Sequence, residues 1–494
     1  METKPFNPSL ILPTPNRRAF LRRAGMGAGS LALTQLLHQQ GLLSSTARGA
    51  LPQASAANPM APKAPHFRPK AKAVIWLFMT GSPSQVDTFD YKPELQKRSG
   101  QPLAGADPKT GFFTTSGKIL KSPFAFKQHG DSGSWVSEIL PHTAKFVDDM
   151  AFIHSAYTKA NNHAPGAFEI GSGVMRPGRP CMGSWITYGL GTQSQNLPAF
   201  VVMHETKPRG EDAIWSAGFL PKNYQALAID SRNPKPIADL DRLQTLTDAQ
   251  QRSQLDLLGQ VNREHRDHHP LETELTARIE SFELAYRMQT SAPEAFDIAN
   301  ESAATKELYG VGNKDCDVFG KQCLTARRLV ERGVRFVQIF AGRGVGGDGS
   351  VGDVPWDAHS NIETNHRSCG KATDQPTAGL LADLKARGLL EDTLVIWSGE
   401  FGRTSDSQGS IGRDHNPNAF TLWMAGGGVK GGVHYGATDE FGYKAVENRV
   451  DVHDLHATIL HLMGIDHERL TYRFNGRDYR LTDLSGSLIR EIIA

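Results

Sequence analysis

Short, mainly apolar runs recur along the chain: Ala73–Met79 (AVIWLFM), Met150–His154, Ala199–Met203, Val334–Phe340, Thr393–Trp397 and Ala419–Met424. Continuous apolar runs of this length suit strands covered on both faces, as in parallel sheets. Helical patterns lie between several of them, over Cys316–Arg332 and Ala378–Arg387. Strands alternating with helices predict an α/β fold with a doubly wound sheet. Residues 237–310 break the rhythm. They are polar and helical, and Leu271, Leu275, Ile279, Phe282 and Tyr286 recur at three- and four-residue spacing on one predicted helix face. We read this segment as a helical insertion that covers part of the sheet, with a lid as one role open to it. No internal repeat is present.

Residues 1–56 read as an export segment and 57–70, rich in Pro and Lys, as a linker, which leaves 71–494 as the folded α/β domain. Asn16–Arg22 (NRRAFLR) fits the twin-arginine pattern, followed by a weakly apolar, glycine-rich stretch from Ala24 to Leu37 and small residues at Ala54–Ala56. The alternative is a basic amphipathic N-terminal helix. The apolar stretch is too short and glycine-rich to span a bilayer stably, and no later segment offers a transmembrane helix. Such signals are receptor-read addresses. The expectation is a bacterial protein handed to the twin-arginine export machinery and delivered to the periplasm or beyond.

The 494 residues suffice for one large domain with insertions or for two domains. The 54 basic and 52 acidic residues nearly cancel and form no basic stripe with interleaved aromatics, which argues against a nucleic-acid partner. The four cysteines, Cys181, Cys316, Cys323 and Cys369, contain no CxxC pair, so they read as structural, free or singly bridged. The 18 histidines direct attention to metal and acid–base chemistry.

The strand-like LVIWSGEFGR (Leu394–Arg403) ends in Glu400 inside a glycine-bracketed turn. The carboxyl ends of strands are where open α/β sheets bind ligands. Nearby lie WDAH (Trp356–His359) and GRDHNP (Gly412–Pro417). Asp357 and His359, two apart, point the same way in extended chain, and with His366 within reach they suit a mixed oxygen–nitrogen metal site. A capping aspartate and a surface histidine are the plainer reading. Past the first strand, Thr80–Pro93 presents Asp87 and Asp90, with Asp87 nearer the strand end and so the better candidate ligand, or else a cap. His163 stands where a strand passes into a small-residue helix, a position open to a nucleophile, an acid–base group or a metal ligand. Asn161 and Asn162 beside it are candidate donors to an ester oxygen. Arg403 and Arg413 suit either a bidentate clamp on phosphate or sulfate, or salt bridges. The histidines of the C-terminal helix (His453, His456, His461) read as structural, and the His265–His269 run as solvated charge.

Several of these stretches resemble the alkaline phosphatase/sulfatase superfamily, and specifically its exported sulfatase-like branch, the DUF1501 family. TLVIWSGEFG looks like the sulfatase strand TLVIFTSDNG, with Glu400 at the metal-binding aspartate. Met424–Gly432 (MAGGGVKGG) looks like GPGIKKG, and VHDLHATILHLMGI looks like the docking helix DLFPTILELAGI. AYTKANNHAPGAFEIGSG looks like the segment in which sulfatases place their catalytic Cys six residues after a Tyr. His163 holds that place, Pro165 keeps the proline and Ala167 replaces the arginine of CxPxR.

The resemblance implies an alkaline-phosphatase-like α/β/α sandwich around a mixed, mostly parallel sheet. It further implies a divalent metal (zinc, manganese or calcium) held by Asp357, His359 and His415, with Asp87 and Glu400 as the remaining carboxylates. A histidine cannot become formylglycine, so the implied activity is metal-dependent hydrolysis of sulfate or phosphate esters without that group. His163 would attack or shuttle a proton, and Arg403 or Arg413 would neutralise the ester. Small-molecule or polysaccharide esters are the implied substrates. The alternative is a binding protein that kept the fold and lost the chemistry. No GxSxG turn supports a serine route.

Overall fold

The computed structural model describes residues 60–107, 110–233, 237, 240, 245–268, 273–342 and 354–494. Residues 1–56, expected to be an export segment, the first three residues of the expected linker (57–59), Leu271 and the glycine-rich 343–353 stretch lie outside these residues, as do the side chains of Leu275 and Ile279. Each apolar run becomes a buried strand of one nine-stranded sheet. In chain order the strands are β1 (Ala73–Phe78), β2 (Met150–Tyr157), β3 (Phe200–His204), β4 (Leu227–Asp230), β5 (Phe336–Phe340), β6 (Thr393–Ser398), β7 (Phe420–Ala425), β8 (Val433–Tyr435) and β9 (Val450–Asp451).

The spatial order is β8-β2-β7-β6-β1-β5-β3-β4, with β9 also paired to β2. Every pairing is parallel except those of β7, which runs antiparallel to both β2 and β6. The reversal has a consequence for chemistry. It sets the entry to β7 beside the carboxyl ends of its neighbours, so residues just before Phe420 meet residues just after Tyr157 and Ser398.

Helices cover both faces, as the unalternating runs require. Val74, Trp76 and Phe78 of β1 face one apolar cluster and Ile75 and Leu77 the other. Helices α1 (His163–Ser172), α2 (Met182–Leu190) and α7 (Val452–Leu462) supply Ile170, Trp185, Ile186, Leu455 and Ile459 to the first cluster. Helices α5 (Asp317–Glu331) and α6 (Ile362–Ala386) supply Leu324, Leu329, Cys369, Leu380 and Leu384 to the second. The fold is therefore an α/β/α sandwich around a mostly parallel sheet, as expected. The four cysteines are buried and free.

The insertion folds as helices α3 (Asp248–His268) and α4 (Thr273–Phe296), tied by the bidentate Arg252–Glu283 pair at 2.9 and 2.7 Å. Its buried stripe is Met288, Ala292 and Ala295, packed into the α5 side of the core, whereas Phe282 is exposed. Of the predicted face, Tyr286 is half-buried, and Leu271 and the side chains of Leu275 and Ile279 lie outside the described residues. Arg328 of α5 donates to the Ala295 carbonyl at 3.1 Å, so the insertion docks on the α5 flank, toward β3 and β4. His265 is exposed, in keeping with solvated charge, and His269 lies outside the described residues. In α7, His456 donates to the Ile170 carbonyl at 2.8 Å and His453 pairs with Asp451 at 2.6 Å, both structural roles.

Candidate metal centre

Four segments that are distant in sequence meet at the strand ends. β2 ends at Tyr157, and the backbone N–H groups of Lys159 and Ala160 donate to Glu169 of α1 at 3.0 Å each. That carboxylate folds the loop back and sets His163 at the first residue of α1. The segment carrying Asp357 and His359 is held to the turn after β1 by Trp356 N–H to the Thr80 carbonyl (3.0 Å) and to the loop before His415 by Arg413 N–H to the Ala358 carbonyl (2.9 Å). A Cβ at Gly412 would fall 1.6 Å from the His359 carbonyl oxygen, so only glycine lets the two loops approach this closely. His415 comes from the entry to β7, delivered there by that strand's reversed direction.

One donor atom each from His163, Asp357, His359 and His415 lies within 4.8 Å of all the others. His359 Nε2 is 2.9 Å and His415 Nε2 is 3.3 Å from Asp357 Oδ1. The two imidazole nitrogens are 3.0 Å apart. His163 Nε2 is 3.2 Å from Asp357 Oδ2, yet the pair lacks hydrogen-bond geometry and Nε2 is otherwise unpartnered although buried. Donors bound to one zinc-sized ion in tetrahedral array lie about 3.4 Å apart, close to these spacings.

The second layer fixes the tautomers. His415 Nδ1 is 2.6 Å from the Asn161 carbonyl oxygen, which can only accept, so Nδ1 carries the hydrogen. His163 Nδ1 donates to Glu400 Oε1 at 2.6 Å. His359 Nδ1 bonds the Gln408 side-chain oxygen. Each ring therefore turns an Nε2 lone pair toward the centre, the arrangement that metal-binding histidines adopt.

Electrostatics favours a cation there. Burial pulls His415 down to about 3 against the attraction of Asp357, so the ring stays neutral. Burial also opposes charge on His163, but Asp357 and Glu400 outweigh it and raise its pKa: two carboxylates there call for a positive charge. Burial resists ionisation of Asp357, yet the Arg403 guanidinium beside it holds its carboxyl well below the usual carboxylate range. Asp357, Glu400 and, beside His359, Asp414 bring three largely buried carboxyl groups to a centre whose one arginine contact among the described residues is Arg403, and buried negative charge is costly without a counter-ion. The donor set of three imidazole nitrogens and one carboxylate oxygen suits zinc or another borderline divalent ion, and fits a purely oxygen-seeking ion such as calcium poorly.

Other expected site residues take different positions. Asp87 is not among the donors. It is fully buried against Arg413, with Nε–Oδ2 at 2.6 Å, and accepts from Ser84 Oγ at 2.5 Å. Arg413 spends its remaining donors on the Thr404 and Leu120 carbonyls at 2.9 and 3.0 Å. Arg403 is fully buried, 2.7 Å from Asp357 Oδ1, and also donates to the Ser82 and Gly81 carbonyls. Both arginines thus take the salt-bridge alternative, and neither offers a free fork to an anion.

Glu400 stands behind His163 and accepts from the Gly81 N–H at 3.0 Å through Oε1; it lies outside the four-donor group, and its buried Oε2 has no hydrogen-bond partner among the described residues. His366 accepts from the Ser84 N–H at 2.9 Å, outside the cluster. The Asn161 amide is committed to the Gly111 carbonyl at 3.1 Å. Sequence reasoning missed Gln408 and the positioning role of Arg403, because neither has a local signature.

Comparison with solved structures finds likenesses of low similarity. The PsFucS1 sulfatase from Pseudoalteromonas sp. is 14% identical, with 81% of this chain and 69% of that one covered and a TM-score of 0.34. The alkaline phosphatase from the Antarctic bacterium TAB5 is 10% identical, covering 80% and 98%, with a TM-score of 0.34. The phosphonate monoester hydrolase SpPMH from Silicibacter pomeroyi is 11% identical, covering 66% and 68%, with a TM-score of 0.33. At these values the likenesses carry no functional information. No curated protein matches the sequence. The family model described as "Protein of unknown function (DUF1501)" matches residues 71–493, the whole of the α/β unit built above, and the chain belongs to the DUF1501 family.

Proposed function

We propose that this chain is an exported, metal-dependent hydrolase of sulfate or phosphate esters that works without formylglycine. The observation that carries the reading is the convergence of His163, Asp357, His359 and His415, each imidazole turned by an oxygen acceptor on its far nitrogen. A divalent ion held by these four would act as a Lewis acid toward an ester oxygen and lower the pKa of bound water. The protein's part is to hold and orient. Glu400 aligns His163, Asn161 aligns His415, and Arg403 fixes the Asp357 carboxylate while offsetting its charge.

A bound dication would be the largest local charge at the centre and would attract an anionic ester without a free arginine. The Asp357 and His359 side chains, 14% and 19% exposed, mark the side from which substrate and solvent reach the centre. His163 is assigned as a ligand, which leaves solvent as the nucleophile.

The test is a panel of sulfate monoesters, phosphate monoesters and phosphodiesters, assayed after loading with zinc, manganese or calcium. Turnover of at least one class, highest with zinc or manganese and absent in Asp357→Asn, is expected. A metal-loaded protein that turns over none of them would contradict hydrolysis. It would favour the second reading, a metal-dependent binding protein, which has its own support: four protein donors can fill a tetrahedral ion and leave no open position.

Export rests on Arg17 and Arg18 with the segment that follows. Replacing both by lysine should retain the protein in the cytoplasm. Unchanged export would remove the twin-arginine assignment.

A further inference from the structure

Two phenylalanines stand at the open side of the donor cluster. Phe112 and Phe113 are 50% and 49% exposed. Their rings meet edge to face with centroids 5.0 Å apart. The Phe112 ring lies 5.8 Å from that of His415 and the Phe113 ring 4.9 Å from that of His359. The aromatic pair therefore borders two of the four donors.

The segment is tied down by the residues that secure the centre. Asp414 accepts the Phe113 N–H at 2.6 Å through Oδ2 and the His415 N–H at 2.8 Å through Oδ1. Asn161 donates to the Gly111 carbonyl at 3.1 Å and accepts from His415 Nδ1 at 2.6 Å. At Gly111 a Cβ would fall 2.1 Å from Asp414 Oδ2, so the backbone is pressed against that carboxylate and only glycine fits. Rings left half in water forgo the stabilisation of burial, and exposed apolar surface beside a polar cleft marks a place where something binds.

We propose that Phe112 and Phe113 form a specificity platform that holds the flat, apolar face of a ring in the organic part of the ester, while the acidic group faces His359 and His415. The proposal rests on the hydrolase reading above. Two aromatic rings in a corner offer a face and an edge, which a flat ring meets over a wide area. A methyl group or short alkyl chain presents no such face. Aryl and pyranose rings both carry it.

The experiment is calorimetric titration of the zinc-loaded full chain with methylphosphonate, phenylphosphonate and a glucosyl methylphosphonate, which separates the acidic group from the ring and one ring type from the other. At least one ring compound should bind about tenfold tighter than methylphosphonate, as an added aromatic contact allows. In F112A/F113A that advantage should vanish, with zinc content and methylphosphonate affinity unchanged, and F112W/F113W should restore it. Ring preference that survives the double alanine variant overturns the platform. Tight methylphosphonate binding with no ring preference in the parent protein overturns the platform alone. Failure to bind any of the three overturns the platform and, with it, the phosphate-ester half of the hydrolase reading.

Discussion

At the residue scale, buried carboxylates with the same place after a strand differ in what they touch. Glu400 and Asp87 both follow strand ends and both looked like ligands, yet their surroundings differ. Glu400 touches a donor imidazole, while Asp87 is locked to Arg413 with no solvent access. Glu400→Gln should therefore weaken metal affinity about 10- to 100-fold, the usual effect of altering such an orienting partner, with little change in folding. Asp87→Ala should leave metal affinity near normal in whatever protein folds, but destabilise it by about 3–5 kcal/mol, because it strands a buried guanidinium. Metal titration and urea unfolding of the two variants check this contrast, and the reverse pattern would exchange the two roles.

Three of the four residues that converge were singled out in sequence as candidate ligands, Asp357 and His359 past a glycine-rich stretch and His415 shortly after the Leu394–Trp397 run. His163 was singled out, but with its role open. What local sequence could not carry is partner choice. Whether an arginine after a strand clamps a substrate or a carboxylate depends on chain segments hundreds of residues away, as Arg413 and Asp87 show.

At the element scale, six of the nine strands were legible because burial on both faces leaves no polar alternation, whereas β4, β8 and β9 are only partly buried and carry no such run. The antiparallel direction of β7 was not legible, because an apolar run has no polarity, yet that direction carries His415 to the centre. In the insertion the exposed Phe282 was expected on the apolar face, because an amphipathic stripe shows a period without showing which residues find a partner.

Buried histidines in these elements set an acid limit. His154 on β2 is held by burial at about 4, with Asp90 pulling it up and His434 pushing it down. His456 on α7 is held by burial at about 4, with the Ile170 carbonyl favouring its charge. Their unfolded value is about 6.5, so the unfolded chain binds more protons between these limits. The stability they contribute is complete above about pH 6.5 and lost progressively as pH falls toward 4. Melting temperature should therefore drop steadily across that window. A flat profile from pH 7 to pH 4 would mean that these rings are not held neutral.

At the scale of the whole molecule, one sheet brings together a loop after β2, a loop tied to β1, the turn after β6 and the entry to β7, and so builds a centre that no single segment contains. Helices on both faces keep the strand ends in register, and the insertion thickens the flank toward β3 and β4. Among the described residues no helix is long and apolar enough to cross a membrane. The central claim is that this assembly exists to hold a divalent cation. The most direct measurement is the metal content of the purified chain, stripped with a chelator and reloaded, beside the Asp357→Asn/His359→Ala variant. The account predicts one tightly held zinc or comparable divalent ion per parent chain and none in a variant that remains folded. A parent chain that takes up no metal, or a folded variant that takes up as much as the parent, would contradict it.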